Sequence, residues 1–430
     1  MKLRPIFCAS LLLSALGAPP AWAQALSLTQ ALTDARTNLE VAIARSGVAA
    51  ARADILAANH APLPVLSGKL SSIDLQNGIG PGSPMRKRID KGVGIDWTWE
   101  RGGKRLLRTR AAEQVADAAQ ADLDDVMAQQ LLATQAAFFD LLAAQERIAL
   151  TDALAQDARQ LANTAARRVR AGDLAAQEAL RIEIEAERVQ SDALGAQLDR
   201  KRAALALGQL TGRADQADRL QAASDWSPLM RVGEGADAYA LAQARPEVRA
   251  ARLRVQAAQA AVDAARALTK ADVTWGVSFD HYPGTSTRIV ELRAQMPLQW
   301  KYDYQGEIAR ALALQQQAQD SEDKVLRAAV ADMQRLQIEA ATAHERARRQ
   351  DADIVPRARQ VAQSAELAYQ KGALPLTDLL DARRTLRATL LESLAARADA
   401  AKAAGAWQTR ALPLPPAVPL PTNPVSEVPR

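Results

Sequence analysis

Over most of this chain apolar and small residues recur every third or fourth position, and the period shortens to two in only a few places. From Lys104 to Ala171, about 68 residues, Val115, Ala119, Leu123, Val126, Ala133, Ala137 and Leu141 share one stripe. From Gly306 to Lys371, about 66 residues, Val325, Ala329, Met333, Leu336, Ala343 and Ala347 do the same. The spacing predicts two helices of roughly 100 Å each at 1.5 Å per residue. Their Ala-rich, coiled-coil-like seams let neighbouring helices approach closely. Shorter helical stretches, about 34 residues before the strands and about 38 after glycine turns, would stack end to end beside each long helix. Pro356 lacks an N–H and is expected to kink the second long helix.

Between short and long helices the alternation is two. Val93, Ile95, Trp97 and Trp99 alternate with Gly94, Asp96, Thr98 and Glu100. Val273, Trp275, Val277 and Phe279 alternate with Thr274, Gly276, Ser278 and Asp280. Val290, Leu292, Ala294, Met296, Leu298 and Trp300 alternate with Glu291, Arg293, Gln295 and Gln299. A less regular strand is expected over 63–76, a polar loop over 76–91, and a hairpin turn over 280–288 at Pro283-Gly284. Such strands suit a transmembrane barrel, apolar outside and polar within. A soluble sheet with one buried face would alternate in the same way. The placement of Trp97, Trp99, Trp275 and Trp300, with Tyr302 and Tyr304 following, favours the barrel, because aromatic rings collect at membrane interfaces. Four strands cannot enclose a pore, so closure calls for several copies in a ring.

The chain also repeats itself. Glu40, Val41, Ala44, Arg45, Val48 and Ala51 align without a gap on Glu247, Val248, Ala251, Arg252, Val255 and Ala258. Each copy continues through two strands, a glycine and a long helix that ends at Gly172 or Gly372. The expected organisation is a signal peptide over 1–23, a first repeat over 24–207 with strands at about 63–100, and a linking belt over 208–238 that carries Gly212, Pro228 and Gly233. A second repeat over 239–410 with strands at about 271–301 and a Pro-rich tail over 411–430 complete it.

The first residues change where such a protein would act. Lys2 and Arg4, an apolar run from Ile6 to Leu16 and Ala21-Trp22-Ala23 make an export signal cut after Ala23. The single Cys, Cys8, lies inside it, so the mature chain is expected to hold no disulfide, reactive thiol or lipid anchor. No later run reaches the length of a spanning helix, which leaves a barrel as the only route through a membrane. Net charge is +5, with 54 basic and 49 acidic residues interspersed, which gives no stripe for nucleic acid. His60, His281 and His344 are isolated, no metal or cofactor site is expected, and Gly102-Gly103-Lys104 lacks the rest of a phosphate loop. An enzyme is not expected.

Several motifs resemble the TolC-type outer membrane factors over nearly the whole mature chain. Tyr369-Gln-Lys-Gly372-Ala-Leu-Pro-Leu-Thr-Asp378-Leu-Leu-Asp381 is similar to the family's Tyr-x-x-Gly turn and following helix. Glu100-Arg-Gly-Gly-Lys-Arg105, Met296-Pro297-Leu298 and Ala244-Arg245-Pro246-Glu247-Val248 are also family-like. The first turn, 167–174, departs by lacking the aromatic, and Arg181 stands where an amide or acid is expected. The resemblance implies a mainly α protomer that contributes four strands to a 12-stranded β-barrel on a trimeric α-helical barrel. It implies a cell outer membrane location reaching into the periplasm. It implies passive export across both, with a periplasmic adaptor and an inner-membrane pump of RND type as partners, beside outer membrane lipid.

By position, Asp378, Asp381 and Glu178 would ring the periplasmic aperture, where a ring of carboxylates favours cations. Read from the residues alone, an Asp near a helix start equally suits a cap. Gly172, Asp173, Leu174, Tyr369, Lys371, Gly372 and Leu374 would meet the partner at the turns. Sequence around 354–356 and 272–274 resembles the heavy-metal cation efflux subgroup. A periplasmic adaptor, a coiled-coil structural protein and a type I secretion duct are the alternatives.

Overall fold

The computed structural model describes residues 25–76, 81–82, 89–226, 237–283 and 285–411. The expected signal peptide, Pro228, Gly233, Gly284 and nearly all of the Pro-rich tail lie outside them. The described chain runs α1 (Leu28–Ala35), α2 (Leu39–Ala58), β1 (Val65–Ser71), β2 (Asp90–Trp99), α3 (Lys104–Ala171) and α4 (Ala176–Thr211). A short 3-10 turn (Ala214–Arg219) precedes α5 (Ala238–Gln243), α6 (Pro246–Ala267), β3 (Val273–Tyr282) and β4 (Ser286–Gln295). Then come α7 (Gln305–Arg349), a π turn (Gln350–Ile354), α8 (Val355–Gln370) and α9 (Leu376–Ala411). The order helix, two strands, long helix, helix thus occurs twice. Pro356 does interrupt the second long helix. The missing N–H is absorbed by the single π turn, and Pro356 begins the next helix where no donor is required. Among the described residues no helix is long and apolar enough to cross a membrane.

Two compact units divide the chain. One holds residues 36–133, 237–349 and 399–411, and in it the four strands form one antiparallel sheet in the order β1-β2-β3-β4. Its register sorts every side chain. Leu66, Ile95, Val277 and Leu292 lie side by side across it, as do Gly68, Val93, Phe279 and Val290. Trp97, Trp275 and Ala294 continue the same face. The other face carries Asp96, Gly276 and Arg293 in one row and Lys69, Gly92 and Asp280 in another. Arg293 donates to Asp96 at 2.5 Å across Gly276. A Cβ at Gly276 or Gly92 would fall on the Asp96 or Asp280 carboxylate, so only glycine leaves room for these charged rows.

Strand ends differ from the alternation. β1 is shorter than 63–76, and β4 stops at Gln295 instead of following its pattern to Trp300. Gln295 already pairs with Thr274, at the start of β3, and Pro297 has no N–H to offer a ladder. Left-handed Lys301 and Tyr304 (φ 62° and 56°) then turn the chain into α7.

Helices of the same unit pack through small side chains. Ala242, Val248, Ala329, Met333, Leu336, Ala340 and Trp407 form a buried core. Beside it Arg245, only 6% exposed, reaches Glu247 at 2.5 Å and Asp332 at 2.8 Å. Arg335 also holds Asp332, at 2.5 Å, and Arg410 holds Asp125 at 2.9 Å. The Ala-Arg-Pro-Glu-Val motif is therefore a buried ionic joint between the start of α6 and α7.

The second unit holds residues 25–35, 134–226 and 350–398. Phe138, Phe139, Leu141 and Leu142 are fully buried in it. Trp226 stacks on Phe139 (6.0 Å between rings) and its indole N–H donates to Glu146 at 2.5 Å. Leu26 bridges the 220s strand-fashion, with N–H to Gln221 O at 2.7 Å and Ala223 N–H to Leu26 O at 2.9 Å. Asp351 of the π turn accepts from Ser393 Oγ at 2.5 Å and Arg397 at 3.3 Å, which fixes the irregular turn against α9.

The ionic joint predicts an acid-sensitive stability. Burial pushes the Asp332 carboxyl up, but hydrogen bonds from Arg335 and Arg245 outweigh it and hold it below the ordinary range. A carboxyl depressed in the folded state adds stability above its unfolded pKa, near 4, and loses it as pH falls through the folded value. Asp332→Asn should therefore melt below wild type at neutral pH, with the gap closing as pH drops through about 4. Thermal unfolding followed by helix circular dichroism at a series of pH values checks this.

Candidate functional site

Two places in the chain carry features that packing alone does not explain: the pair of glycine turns in one unit and the sheet in the other.

Both turns close with the same bonds. Gly172 N–H reaches Val169 O at 3.1 Å and Asp173 N–H reaches Arg168 O at 2.9 Å. Gly372 N–H reaches Tyr369 O at 3.0 Å and Ala373 N–H reaches Ala368 O at 2.9 Å. This is the Schellman pattern, which needs a left-handed residue after the helix, and the glycines sit at φ 79° and 73°. Beneath them Ala165, Ile182, Leu376, Leu379 and Leu380 form a buried core, with Leu174 and Tyr369 packed half-buried against it. Gly172, Asp173, Lys371 and Gly372 are exposed, and Leu374 is half-buried. One apolar anchor from each turn thus faces inward while the charged positions face out.

Asp378 lies in the first turn of α9, and its carboxylate receives the Thr377 hydroxyl at 3.2 Å. Asp381 is one turn on, also exposed, and Glu178 is half-buried in the first turn of α4. Asp378, Asp381 and Arg384 follow at three-residue spacing, so they share one face of α9. Arg384 in turn holds Glu185 of α4 at 2.7 Å.

That Glu185 was not visible as a site in the sequence. It is a carboxylate of only 8% exposure with Arg387 at 3.3 Å as well as Arg384. The hydrogen bond to Glu185, followed by its charge, raises the Arg384 pKa above its ordinary value. Glu185 and Arg387 border a cavity of about 160 Å³ with Leu161, Ile182 and Arg383. A usable signal existed: Glu185 interrupts the apolar stripe Ile182, Ala186, Val189 of α4, where an unpaired carboxylate would be costly.

The sheet presents the second feature. Its apolar face is uncovered: Leu66, Val93, Phe279, Val290 and Leu292 are all more than half exposed, and Leu292 reaches 79%. Trp97, Trp99, Trp275 and Trp300 are exposed too, Trp300 to 78%. All four cluster toward the end of the sheet where α2, α3, α6 and α7 attach. A soluble sheet of this composition would bury that face. Here the polar face is the organised one, with Thr98 and Thr274 hydroxyls bonded at 3.0 Å and Ser278 donating to Asp280 at 2.6 Å.

Residues 28–213 match the family model described as outer membrane efflux protein. The chain is 26% identical over 293 residues to the cobalt-zinc-cadmium resistance protein CzcC of Cupriavidus metallidurans, covering 67% of this chain and 68% of that one. Its fold is that of solved outer membrane channel proteins. CusC superposes with a TM-score of 0.77 at 19% identity, over 89% of this chain and 91% of that one. VceC of Vibrio cholerae superposes with a TM-score of 0.74 at 17% identity, over 89% and 95%. The mainly α chain with a small strand part expected from the sequence is thus the observed fold, and it is a fold of channel proteins.

The turns yield a direct prediction. A Cβ on Gly172 or Gly372 would meet no atom within 4 Å, so substitution costs only the backbone strain of a left-handed residue. Gly372→Ala should lower stability by about 1 kcal/mol, whereas Glu185→Ala, which takes the shared carboxylate from Arg384 and Arg387, should cost about 1–3 kcal/mol. Denaturant titrations of the two variants beside wild type would show the order.

Proposed function

We propose that this protein is the outer membrane channel-tunnel of a tripartite efflux system. In this reading it passively conducts material that an inner-membrane pump expels through a periplasmic adaptor. The observation that carries the proposal is the sheet: four strands with one continuous, exposed apolar face and one polar, charge-paired face. Hydrocarbon would cover the first, and water in a pore would wet the second. β1 and β4 are the two edges of this sheet, and an open edge cannot exist in lipid. Three copies joined edge to edge would close a 12-stranded barrel and satisfy every edge amide. The outer membrane, with the helices in the periplasm, is the compartment that fits.

The helical end supports the rest of the reading. Gly172, Asp173, Leu174, Tyr369, Lys371, Gly372 and Leu374 would dock the adaptor, and the pump would be of RND type. Asp378, Asp381 and Glu178 would line the aperture. Repeated threefold, their charges would focus a negative field at a constriction and favour cations. The relative CzcC is named for cobalt, zinc and cadmium resistance. Metal cations are accordingly the cargo we favour, treated as substrate and not as a bound cofactor.

Planar-bilayer recordings test this. Wild type should give small, cation-selective openings, and Asp378→Ala/Asp381→Ala should enlarge them or abolish selectivity. An unchanged variant would reduce both aspartates to local helix-start residues. Protein that stays soluble without detergent and never inserts would remove the channel altogether.

A further inference from the structure

At the helix-side end of the sheet the apolar face does not simply stop. Met296, Leu298 and Trp300 carry it from the terminal Trp99–Val273 pair beyond the last strand pairs, and these residues and Trp99 are each at least 49% exposed. Three cations stand at this rim. Arg101 follows β2 and its backbone N–H is fixed by Asp272 at 2.9 Å, while its guanidinium lies 3.8 Å from the Met296 sulfur. Lys270 lies against the Arg101–Gly102 turn, its Cβ and Cγ 3.0 Å from where a Cβ on Gly102 would be. Lys301 follows Trp300, and Gln299 ties that segment to Leu268 O at 3.0 Å.

The neighbouring acids are already engaged. Asp272 holds Lys104 at 2.8 Å and Glu100 holds Arg108 at 2.8 Å, whereas Glu307, which accepts from the neutral Tyr302 hydroxyl at 2.5 Å, keeps its charge. Arg101, Lys270 and Lys301 are exposed, and among the described residues no carboxylate pairs with them. Asp303 also follows closely in the chain; set against it and Glu307, the three cations still leave the rim net positive. The first turn of α3 adds Lys104 and Arg105 and no acid, the reverse of what its dipole favours. An anion beside this rim would relieve both.

We propose that this rim binds anionic phospholipid of the periplasmic leaflet, the aromatic side chains lying among the acyl–glycerol region and Arg101, Lys270 and Lys301 at the phosphates. This rests on the lipid-facing reading of the sheet given above. Charge complementarity and unbroken continuity with the apolar face select a lipid headgroup as the occupant. Aromatic rings with basic residues just beyond them are the side chains that suit a headgroup layer.

The four sheet-end tryptophans report on that layer, while Trp407 is buried among helices and Trp226 is stacked on Phe139. Full-length protein would be reconstituted in vesicles of zwitterionic lipid containing a minor fraction of brominated phosphatidylglycerol or, separately, of brominated phosphatidylcholine. Wild type should be quenched by the brominated phosphatidylglycerol as if that lipid were enriched about fivefold around it, the factor one basic residue near an anionic surface supplies. Arg101→Gln/Lys270→Gln/Lys301→Gln, all exposed substitutions, should erase the preference while quenching by the zwitterionic lipid persists. Equal quenching by both lipids in wild type, or a preference that survives the triple substitution, would overturn the rim site and leave the lipid-facing sheet standing. Quenching by neither would remove the lipid-facing sheet and the rim site together.

Discussion

A strand in hydrocarbon has no water to fall back on, so each backbone amide must find a partner and each side chain must suit its face. In the channel reading proposed above, that constraint organises the strand region of this protein. The register places Leu66, Ile95, Val277 and Leu292 in one row and Asp96, Gly276 and Arg293 in the next, so a slip of one residue would invert every position. Gly92 and Gly276 enforce the register from the polar side, since any larger residue would collide with a carboxylate of the neighbouring strand. The same constraint leaves two edges, β1 and β4, that a single chain cannot satisfy. In the channel reading an oligomer follows from the sheet before anything is said of the helices.

The helical parts obey a different rule. Their buried positions are mostly alanine, which fills little volume and allows close approach, so specificity comes from ionic joints set between the seams. Arg245 with Glu247 and Asp332 serves one unit, and Glu185 with Arg384 and Arg387 serves the other. Glu345 marks the contrast, because it lies on the surface of α7. Arg348 and Arg349 draw its pKa to about 2 by hydrogen bonds, yet its place on the solvent side of one helix means these pairs do little for packing. Partly buried joints between helices constrain register, and exposed rungs along one helix do not.

Much of this was legible in the residues. The 3.6 period over 104–171, the alternation in β2 and β3, and the glycines at 172 and 372 each follow from local chemistry, and each has its counterpart in the structure. The end of β4 was not legible, because alternation persists through Met296, Leu298 and Trp300 while the ladder stops for want of a partner strand and for the proline at 297. The clustering of Trp97, Trp99 and Trp275 with Trp300 at one end of the sheet depends on pairing register, which no single strand reveals. Glu185 looked like one charge among many, and only the approach of α9 to α4 gives it its two arginines. The dual reading of Asp378 and Asp381 has the same origin, since in the proposed ring their neighbours would belong to other copies.

The most direct test uses the absence of cysteine from the chain after Cys8. Single cysteines placed in turn along β3, from 274 to 280, would be reacted with a membrane-impermeant maleimide in protein reconstituted in vesicles. Sites 274 and 278, on the polar face, should label, and sites 275, 277 and 279 should stay protected until detergent is added. Uniform labelling along the strand, or protection of the polar positions instead, would contradict a sheet whose apolar face meets lipid and whose polar face lines a duct.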